Sequence, residues 1–262
     1  MSCLKSKAFR WSVSFLIFLL LWAVFPQYRV FSLTLLLMHI PVLIWGIIDI
    51  RNSFFCQAFC HKDGEQSSLA ITFDDGPDPE ITPEILDLLK KFGYTATFFL
   101  IAKKAERYPE LVKRIIGEGH TIACHDLDHR YTCNFRFTAA MVRDIGAARD
   151  ILKRISGKTV RLYRPPVGLT NPHLKTALKK LNMECIGWSG SVRDGGNRFR
   201  KTFHLIPELA RPGSVVLLHD TVPVPENKSE FLNQLENLFI SIQEKKLKTV
   251  SLHSLFSLQP YL

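Results

Sequence analysis

Two neighbouring carboxylates and a pair of histidines are the residues whose types and spacing point to catalysis. Asp74 and Asp75 follow an apolar segment in the run TFDDGPDP, and adjacent carboxylates repel each other unless a cation or a proton relieves them. His125 and His129 lie four residues apart, which on one helical turn places both imidazoles on the same face. Two imidazoles, one carboxylate and an open position form a hydrolytic zinc arrangement. The pattern predicts a metal site, although the carboxylate pair alone is equally compatible with a solvated turn.

Alternating apolar and amphipathic segments predict the elements that position these residues. The alternation indicates parallel βα units, because parallel neighbours need a crossover connection. We expect an α/β fold, an irregular (β/α) barrel of about seven parallel strands preceded by two transmembrane helices; an open doubly wound sheet is the other candidate. The predicted strands are residues 69–73, 95–101, 121–125, 161–165, 184–188, 215–219 and 249–252, and the predicted helices are 83–92, 109–118, 138–155, 172–181, 202–209 and 230–245.

Polar side chains recur where these predicted strands end. In βα barrels the carboxyl ends of the strands converge on one face, where active sites are built. The sequence therefore predicts one pocket that collects all of the polar clusters. These clusters are Asp74-Asp75, His125, Arg164, Arg193-Asp194 and His219-Asp220.

Two uncharged runs near the N-terminus predict a membrane hairpin. Residues 11–28 and 30–48 contain no charged side chain and can each just cross a hydrocarbon core of about 30 Å. A secretory signal is the alternative for the first run, but no small-x-small cleavage site follows it. Basic residues before, between and after the runs favour both ends in the cytoplasm. If only one run spans, the C-terminal domain lies on the opposite side.

Composition excludes several classes of protein. The chain has 262 residues, 47% of them hydrophobic and 11% aromatic, which excludes a disordered tail, a collagen-like fibre and a small disulfide scaffold. The formal charge of 34 − 24 = +10 suits an anionic lipid surface as well as nucleic acid. A polar linker before Ser67 predicts two parts: 1–66 as membrane anchor and linker, and 67–262 as the catalytic domain.

These motifs resemble those of the polysaccharide deacetylases with a chitooligosaccharide deacetylase homology domain. Residues 72–77 carry the motif T-F-D-D-G-P unaltered, and residues 125–129 match H-[ST]-x-x-H apart from Asp126 at the hydroxyl position. The resemblance implies that Asp74 is the general base and that Asp75, His125 and His129 bind a divalent metal, zinc first, with cobalt or manganese as alternatives. Asp126 either makes the surroundings of the metal more negative or is a surface turn residue.

The remaining motifs match less completely. Residues 164–168 read R-P-P-V-G, and the resemblance implies that Arg164 orients the catalytic aspartate. Asp194 retains the carboxylate that tunes the catalytic histidine in the family, but Ser191 and Gly195 replace an aspartate and a tryptophan. His219 aligns with the general acid. The weakened motif puts a standard polymeric substrate in doubt more than the chemistry.

The resemblance implies a metal-dependent hydrolase that removes N-acetyl groups from a sugar of a glycan or glycolipid and releases acetate. Alternatives are a deacylase or deformylase of a lipid-linked sugar, an O-acetyl esterase, and a non-catalytic membrane scaffold. The expected partners are the N-acetylated substrate and membrane lipids, with no nucleic acid, and the expected location is the bacterial cytoplasmic membrane.

Overall fold

The structure is a computed structural model that describes residues 7–191, 200–221 and 228–262. Its N-terminal part consists of two apolar helices, α1 (Lys7–Val24) and α2 (Arg29–Ile48), joined by a short 3₁₀ turn at Pro26–Tyr28. At 1.5 Å per residue the helices are roughly 27 and 30 Å long, the thickness of a hydrocarbon core. Both are long and apolar enough for a membrane anchor or a signal sequence.

The two helices form a hairpin that polar contacts hold together. Ser14 Oγ lies 2.8 Å from His39 Nε2, and Trp11 Nε1 donates a hydrogen bond of 3.3 Å to the His39 carbonyl. The Trp11 and His39 rings also meet edge to face at 5.5 Å. The first turns of α1 and the last turns of α2 therefore lie at the same end of the hairpin, beside the rest of the chain.

A curled sheet of parallel strands forms the centre of the second part, as the predicted fold class requires. Its order is β1-β6-β5-β4-β3-β2-β8-β7, with β9 beside β2, and every strand pair is parallel. Among the described residues β1 and β7 end the sheet without pairing to each other, so the barrel is open. The strands are β1 (Ala58–Phe59), β2 (Ser68–Asp74), β3 (Ala96–Leu100), β4 (Thr121–Cys124), β5 (Leu162–Tyr163), β6 (Glu184–Ile186), β7 (Gly190–Ser191), β8 (Val215–His219) and β9 (Lys248–Thr249).

Local sequence signals determine where the surrounding helices begin and end. Pro83 lies in the first turn of α3, and Gly93 ends that helix at a positive φ of 68°. Asn171 caps α7, its side-chain oxygen accepting from the Leu174 amide at 2.9 Å. The helices are α3 (Thr82–Phe92), α4 (Ala102–Arg107), α5 (Pro109–Gly117), α6 (Thr138–Ser156), α7 (Pro172–Leu181), α8 (Lys228–Glu244) and α9 (Leu252–Phe256).

The central strand β2 carries the first catalytic motif from the core to the rim of the sheet. It pairs with β3 on one side and β8 on the other, and all of its residues after Ser68 are buried. Phe73 stacks on Phe98 at a centroid distance of 5.1 Å. The strand thus ends at Asp74 with its backbone fixed on both sides, and the next residues form the turn at the carboxyl edge.

The structure differs from the predicted elements in several places. The predicted strand 249–252 is only Lys248–Thr249, because Ser251 caps α9 and turns the chain into a helix. Residues 200–209 form a 3₁₀ helix that contains Pro207. Ala58–Phe59 pairs with β6, so the sheet includes residues ahead of the proposed boundary at residue 67.

Candidate active site

The turn after β2 is held by backbone and lysine contacts. Asp75 has a φ of 73°, a left-handed conformation that Asp tolerates better than most residues. Lys104 Nζ donates to the Asp75 carbonyl at 2.8 Å, and the Ile101 amide donates to the Gly76 carbonyl at 2.9 Å. The chain therefore presents the two carboxylates in fixed and different directions.

Gly76 makes room for the buried carboxylate of Asp220, which the sequence places in the predicted pocket without a specific role. A Cβ at Gly76 would overlap the Asp220 carboxyl group. Asp220 Oδ2 accepts from Thr82 Oγ1 at 2.9 Å, and the Thr82 hydroxyl accepts from the Asp78 amide at 2.8 Å. Complete burial raises the pKa of Asp220 well above its usual range. Asp220 thus links the turn, the start of α3 and the end of β8.

Asp75, His125 and His129 come together as the sequence predicts. Their ligand atoms all lie within 4.8 Å of one another. Asp75 Oδ1 is 3.3 Å from His125 Nε2 and 3.3 Å from His129 Nε2. His125 is 2% exposed, and its Nδ1 lies 2.9 Å from the Arg164 carbonyl, an arrangement in which Nδ1 donates to that carbonyl and Nε2 faces Asp75.

The donor set fits a divalent metal ion. Ligand atoms at about 2.0–2.1 Å from a tetrahedral zinc ion are separated by about 3.3 Å. The separations of 3.3 Å between Asp75 Oδ1 and the two imidazole nitrogens match that spacing. Asp75 Oδ1 is buried and has no hydrogen-bond partner, which is costly for a carboxylate oxygen unless a cation meets it. Two imidazole nitrogens and one carboxylate oxygen leave further coordination positions for water and substrate.

The protonation of the three groups reflects their mutual charges. Burial would raise the pKa of Asp75, but the His125 imidazole, with His219 and His129, lowers it below its ordinary value. Burial would lower the pKa of His125, but Asp74 and Asp75 raise it. The pKa of His129 is lowered by burial and by the charge of His125. Without a metal, Asp75 is therefore anionic and attracts positive charge.

Arg164 holds the other carboxylate of the pair. Its Nη1 donates to Asp74 Oδ1 at 2.6 Å and to Thr72 Oγ1 at 2.8 Å, and its Nη2 donates to the Gly187 carbonyl at 2.9 Å. The guanidinium is fully buried and lies 4.1 Å from the Phe99 ring centroid. Asp74 Oδ2 remains 3.8 Å from His125 Nε2. One oxygen of Asp74 is thus bound by arginine, and the other faces the imidazole cluster.

His219 ends β8 directly beside Asp74. The two residues are paired across the parallel strands, and the Asp220 amide donates to the Asp74 carbonyl at 3.1 Å. His219 is half-buried and close enough to Asp75 for its charge to lower the pKa of that carboxyl. Ser191 pairs with Leu217 on the neighbouring strand. Asp194, the predicted partner of His219, lies outside the described residues.

The structure excludes one of the two sequence interpretations of Asp126, that of a surface turn residue. The side chain is 1% exposed, its Oδ2 has no hydrogen-bond partner, and burial raises the pKa of the carboxyl. The φ of 72° turns the chain just after His125. The surface interpretation is wrong because the loop after β4 folds inward, where Asp126 lines a small cavity with Cys133 and Tyr163.

Comparison with known proteins identifies the family. The sequence profile described as polysaccharide deacetylase matches residues 61–186. The chain is 35% identical over 163 residues to a chitooligosaccharide deacetylase of Azorhizobium caulinodans, covering 62% of this chain and 77% of the relative. It belongs to the polysaccharide deacetylase family.

Other family members agree in sequence and in fold. A peptidoglycan-N-acetylglucosamine deacetylase of Bacillus cereus is 38% identical over 161 residues, covering 58% of this chain and 72% of the relative. The solved structure of the Bc1960 peptidoglycan N-acetylglucosamine deacetylase superimposes with a TM-score of 0.68 at 33% identity, covering 78% of this chain and 94% of that one. The family profile includes Asp74, Asp75, His125, His129 and Arg164, whereas His219 lies beyond its end.

Proposed function

We propose that this polysaccharide deacetylase removes N-acetyl groups from an N-acetylated sugar of a glycan or glycolipid and releases acetate. The observation that carries the proposal is the convergence of Asp75, His125 and His129 beside an aspartate held by a buried arginine. The named activities of the relatives, on chitooligosaccharides and on peptidoglycan, support the same bond type.

Asp75, His125 and His129 would hold the divalent metal, and zinc is the first choice because the set contains two nitrogens and one oxygen. Cobalt and manganese are the alternatives. A metal bound there polarises the acetamide carbonyl and lowers the pKa of a water molecule. The His125 Nδ1 contact with the Arg164 carbonyl fixes the ring so that Nε2 points toward Asp75.

Asp74 is the proposed general base. Arg164 immobilises its Oδ1, so Oδ2 is the oxygen available to take a proton from the attacking water. That oxygen is 3.8 Å from His125 Nε2, and this distance supports a role beside the metal ligands. Arg164 orients Asp74, and its contacts with Thr72 and the Gly187 carbonyl prevent the guanidinium from turning away.

His219 is the proposed general acid. It lies beside Asp74 across the β2 and β8 pair, so base and acid approach the substrate from adjacent strands. An imidazolium there gives a proton to the departing nitrogen and leaves a free amine. We propose Asp194 as the carboxylate that tunes His219.

We further propose that 1–66 anchors the enzyme in a bacterial cytoplasmic membrane and that 67–262 is the catalytic domain. The hairpin of α1 and α2 supports the anchor, since both helices match the thickness of a bilayer core and expose apolar side chains along their length. Lys7 and Arg51 lie near the end of the hairpin that faces the catalytic domain, where basic residues favour the lipid headgroups.

Acetate release by the full chain in detergent micelles tests the proposed chemistry. We expect N-acetylglucosamine oligomers to yield acetate after zinc is added to chelator-treated protein, and Asp74→Asn to release none. Asp87→Asn is the matched control, because Asp87 is an exposed aspartate of α3 that pairs with Arg114. Equal activity with and without metal would contradict the proposal, as would an active Asp74→Asn variant.

A further inference from the structure

The membrane hairpin is attached to the loop that follows the catalytic arginine. Thr170 is 2% exposed, and it donates two hydrogen bonds to the last turn of α2. Its amide meets the Ile47 carbonyl at 3.0 Å, and its Oγ1 meets the Gly46 carbonyl at 3.1 Å. Because α2 ends at Ile48, these bonds satisfy carbonyls that a helix end leaves without partners. The end of the hairpin is therefore fixed to the carboxyl edge of the sheet.

A second set of contacts strengthens the same connection. Gly46 allows the Phe54 ring to lie directly against α2, and Phe54 also meets the Trp11 ring edge to face at 6.4 Å. Lys7 Nζ donates to the Asn52 carbonyl at 2.7 Å. Ile50 is buried against Gly187. The Gly187 carbonyl in turn accepts a hydrogen bond from the Arg164 guanidinium. A short path of packed residues thus runs from the hairpin to the guanidinium that holds Asp74.

Exposed apolar side chains occupy the loops beside this attachment. Phe135 is 83% exposed, Phe137 is 74% exposed and Val167 is 54% exposed. We refer to these three residues as the loop patch. The loops are joined by hydrogen bonds, since Asn134 Nδ2 donates to the Pro166 carbonyl at 3.3 Å and Asn171 Nδ2 donates to the Asn134 carbonyl at 2.5 Å.

The loop patch lies in the segments that build the active site. Phe135 and Phe137 follow the loop that carries His125 and His129, and Val167 lies in the turn after Arg164. Thr170, only three residues beyond Val167, holds the hairpin. Large aromatic side chains left in water at the end of a membrane anchor are typical of groups that enter the lipid interface.

We propose that the loop patch inserts into the headgroup region of the bilayer that holds α1 and α2, so that the active site opens onto the membrane surface and takes the N-acetylated sugar of a lipid-linked glycan. The inference rests on the proposed function and specifies its substrate class. A lipid surface is the occupant because the loop that carries Val167 also makes the hydrogen bonds to the anchor, and this loop is bonded to the one that carries Phe135 and Phe137. A sugar linked to lipid in that leaflet reaches the site without leaving the membrane.

Tryptophan quenching tests the membrane contact without any enzyme assay. The full chain would be reconstituted in phosphatidylethanolamine and phosphatidylglycerol vesicles containing a lipid brominated near the headgroup. We expect the brominated lipid to quench the fluorescence of F135W and F137W about twice as strongly as that of I240W. The exposed side chain of Ile240 lies on α8. The four native tryptophans are common to all variants. Equal quenching in all three variants would overturn the inference.

Substrate choice is the second test. We expect Phe135→Ser with Phe137→Ser to lower kcat/KM about tenfold or more on a polyprenyl-phosphate-linked N-acetylglucosamine in vesicles. Turnover of soluble N-acetylglucosamine oligomers should remain unchanged, and Ile240→Ser should affect neither substrate. Equal losses on both substrates, or none on either, would contradict the inference. If the wild type releases acetate from neither substrate, the proposed function fails, while the quenching result still decides the membrane contact.

Discussion

The two sides of the turn after β2 hold adjacent carboxylates in opposite ways. On the arginine side, Asp74 has a cation of the protein itself at 2.6 Å, fixed by further bonds to Thr72 and Gly187. On the imidazole side, Asp75 Oδ1 has two ring nitrogens at 3.3 Å and no hydrogen bond. The charge of Asp74 is balanced by a guanidinium of the chain itself. The free oxygen of Asp75 is instead suited to a bound metal ion.

The difference explains how neighbouring residues can perform separate tasks. A carboxylate whose position is fixed by a buried guanidinium is suited to accept a proton in a defined direction. A carboxylate that lies beside two imidazole nitrogens is suited to bind a metal. The left-handed φ of 73° at Asp75 directs the two side chains to different partners. The first two predictions below alter the arginine side and measure the metal site.

Asp74→Asn should produce the largest loss on the arginine side. The amide retains an oxygen for Arg164 but cannot accept a proton, so we expect acetate release to fall about a thousandfold. Zinc affinity, measured by isothermal titration, should change little, because Asp74 is 3.8 Å from the nearest imidazole nitrogen. A variant that loses zinc and activity together would show that Asp74 is itself a ligand.

Arg164→Lys should impair the base and spare the metal site. Lysine retains the charge but cannot make the planar set of bonds to Asp74, Thr72 and Gly187, so we expect turnover to fall about a hundredfold. His125 contacts the main-chain carbonyl of residue 164, which the substitution leaves in place. The zinc affinity of the variant should therefore match that of the wild type. A large fall in affinity would show that Arg164 also supports the metal site.

Gly76→Ala tests the support beneath both carboxylates. A Cβ at Gly76 would overlap the Asp220 carboxyl group, so we expect a loss of about 2 kcal/mol in the free energy of unfolding. The same change should cost much less in an Asp220→Ala background, where the space is free. Denaturant unfolding of the four proteins in this cycle measures the coupling. Additive costs would mean that Gly76 and Asp220 do not constrain each other.

His120→Asn should give the smallest effect, a change in the pH dependence of stability. His120 lies away from both sides of the turn. His120 is 6% exposed, its Nδ1 accepts from the Ala96 amide at 3.3 Å, and burial lowers its pKa. Stability from a lowered histidine pKa is present above the ordinary value of about 6.5 and is lost as the pH falls through the folded value. Melting temperatures across this range should decline less in the variant, and parallel curves would contradict the assignment.

The sequence predicts the strand ends better than it predicts the contacts between loops. Asp74, His125 and His219 lie at or just beyond strand ends as expected, because β-branched and apolar runs mark buried strands. The family motifs also predict the residues that meet at the carboxyl edge. The adjacency of Asp220 to His219 predicts its place in the pocket, but no local signal indicates its bond to Thr82 or its position beneath Gly76.

Other features depend on tertiary structure and leave no local signal. Thr170 is unremarkable in sequence, and only the fold places it against the last turn of α2. The sequence leaves Asp126 either beside the metal or in a surface turn, and only the fold shows that the loop after β4 buries it. The strand predicted at 249–252 ends early because Ser251 caps a helix, a local competition that the apolar pattern does not reveal.

The most direct test of the account is metal binding by Asp75→Asn compared with Asp74→Asn. Full-length wild-type protein in micelles, freed of metal by chelator, should bind one equivalent of zinc and then release acetate from N-acetylglucosamine oligomers. Asp74→Asn should bind the same equivalent and release none, whereas Asp75→Asn should lose both the binding and the activity. Stoichiometric zinc in Asp75→Asn, with acetate release retained, would contradict the division of tasks between the two carboxylates.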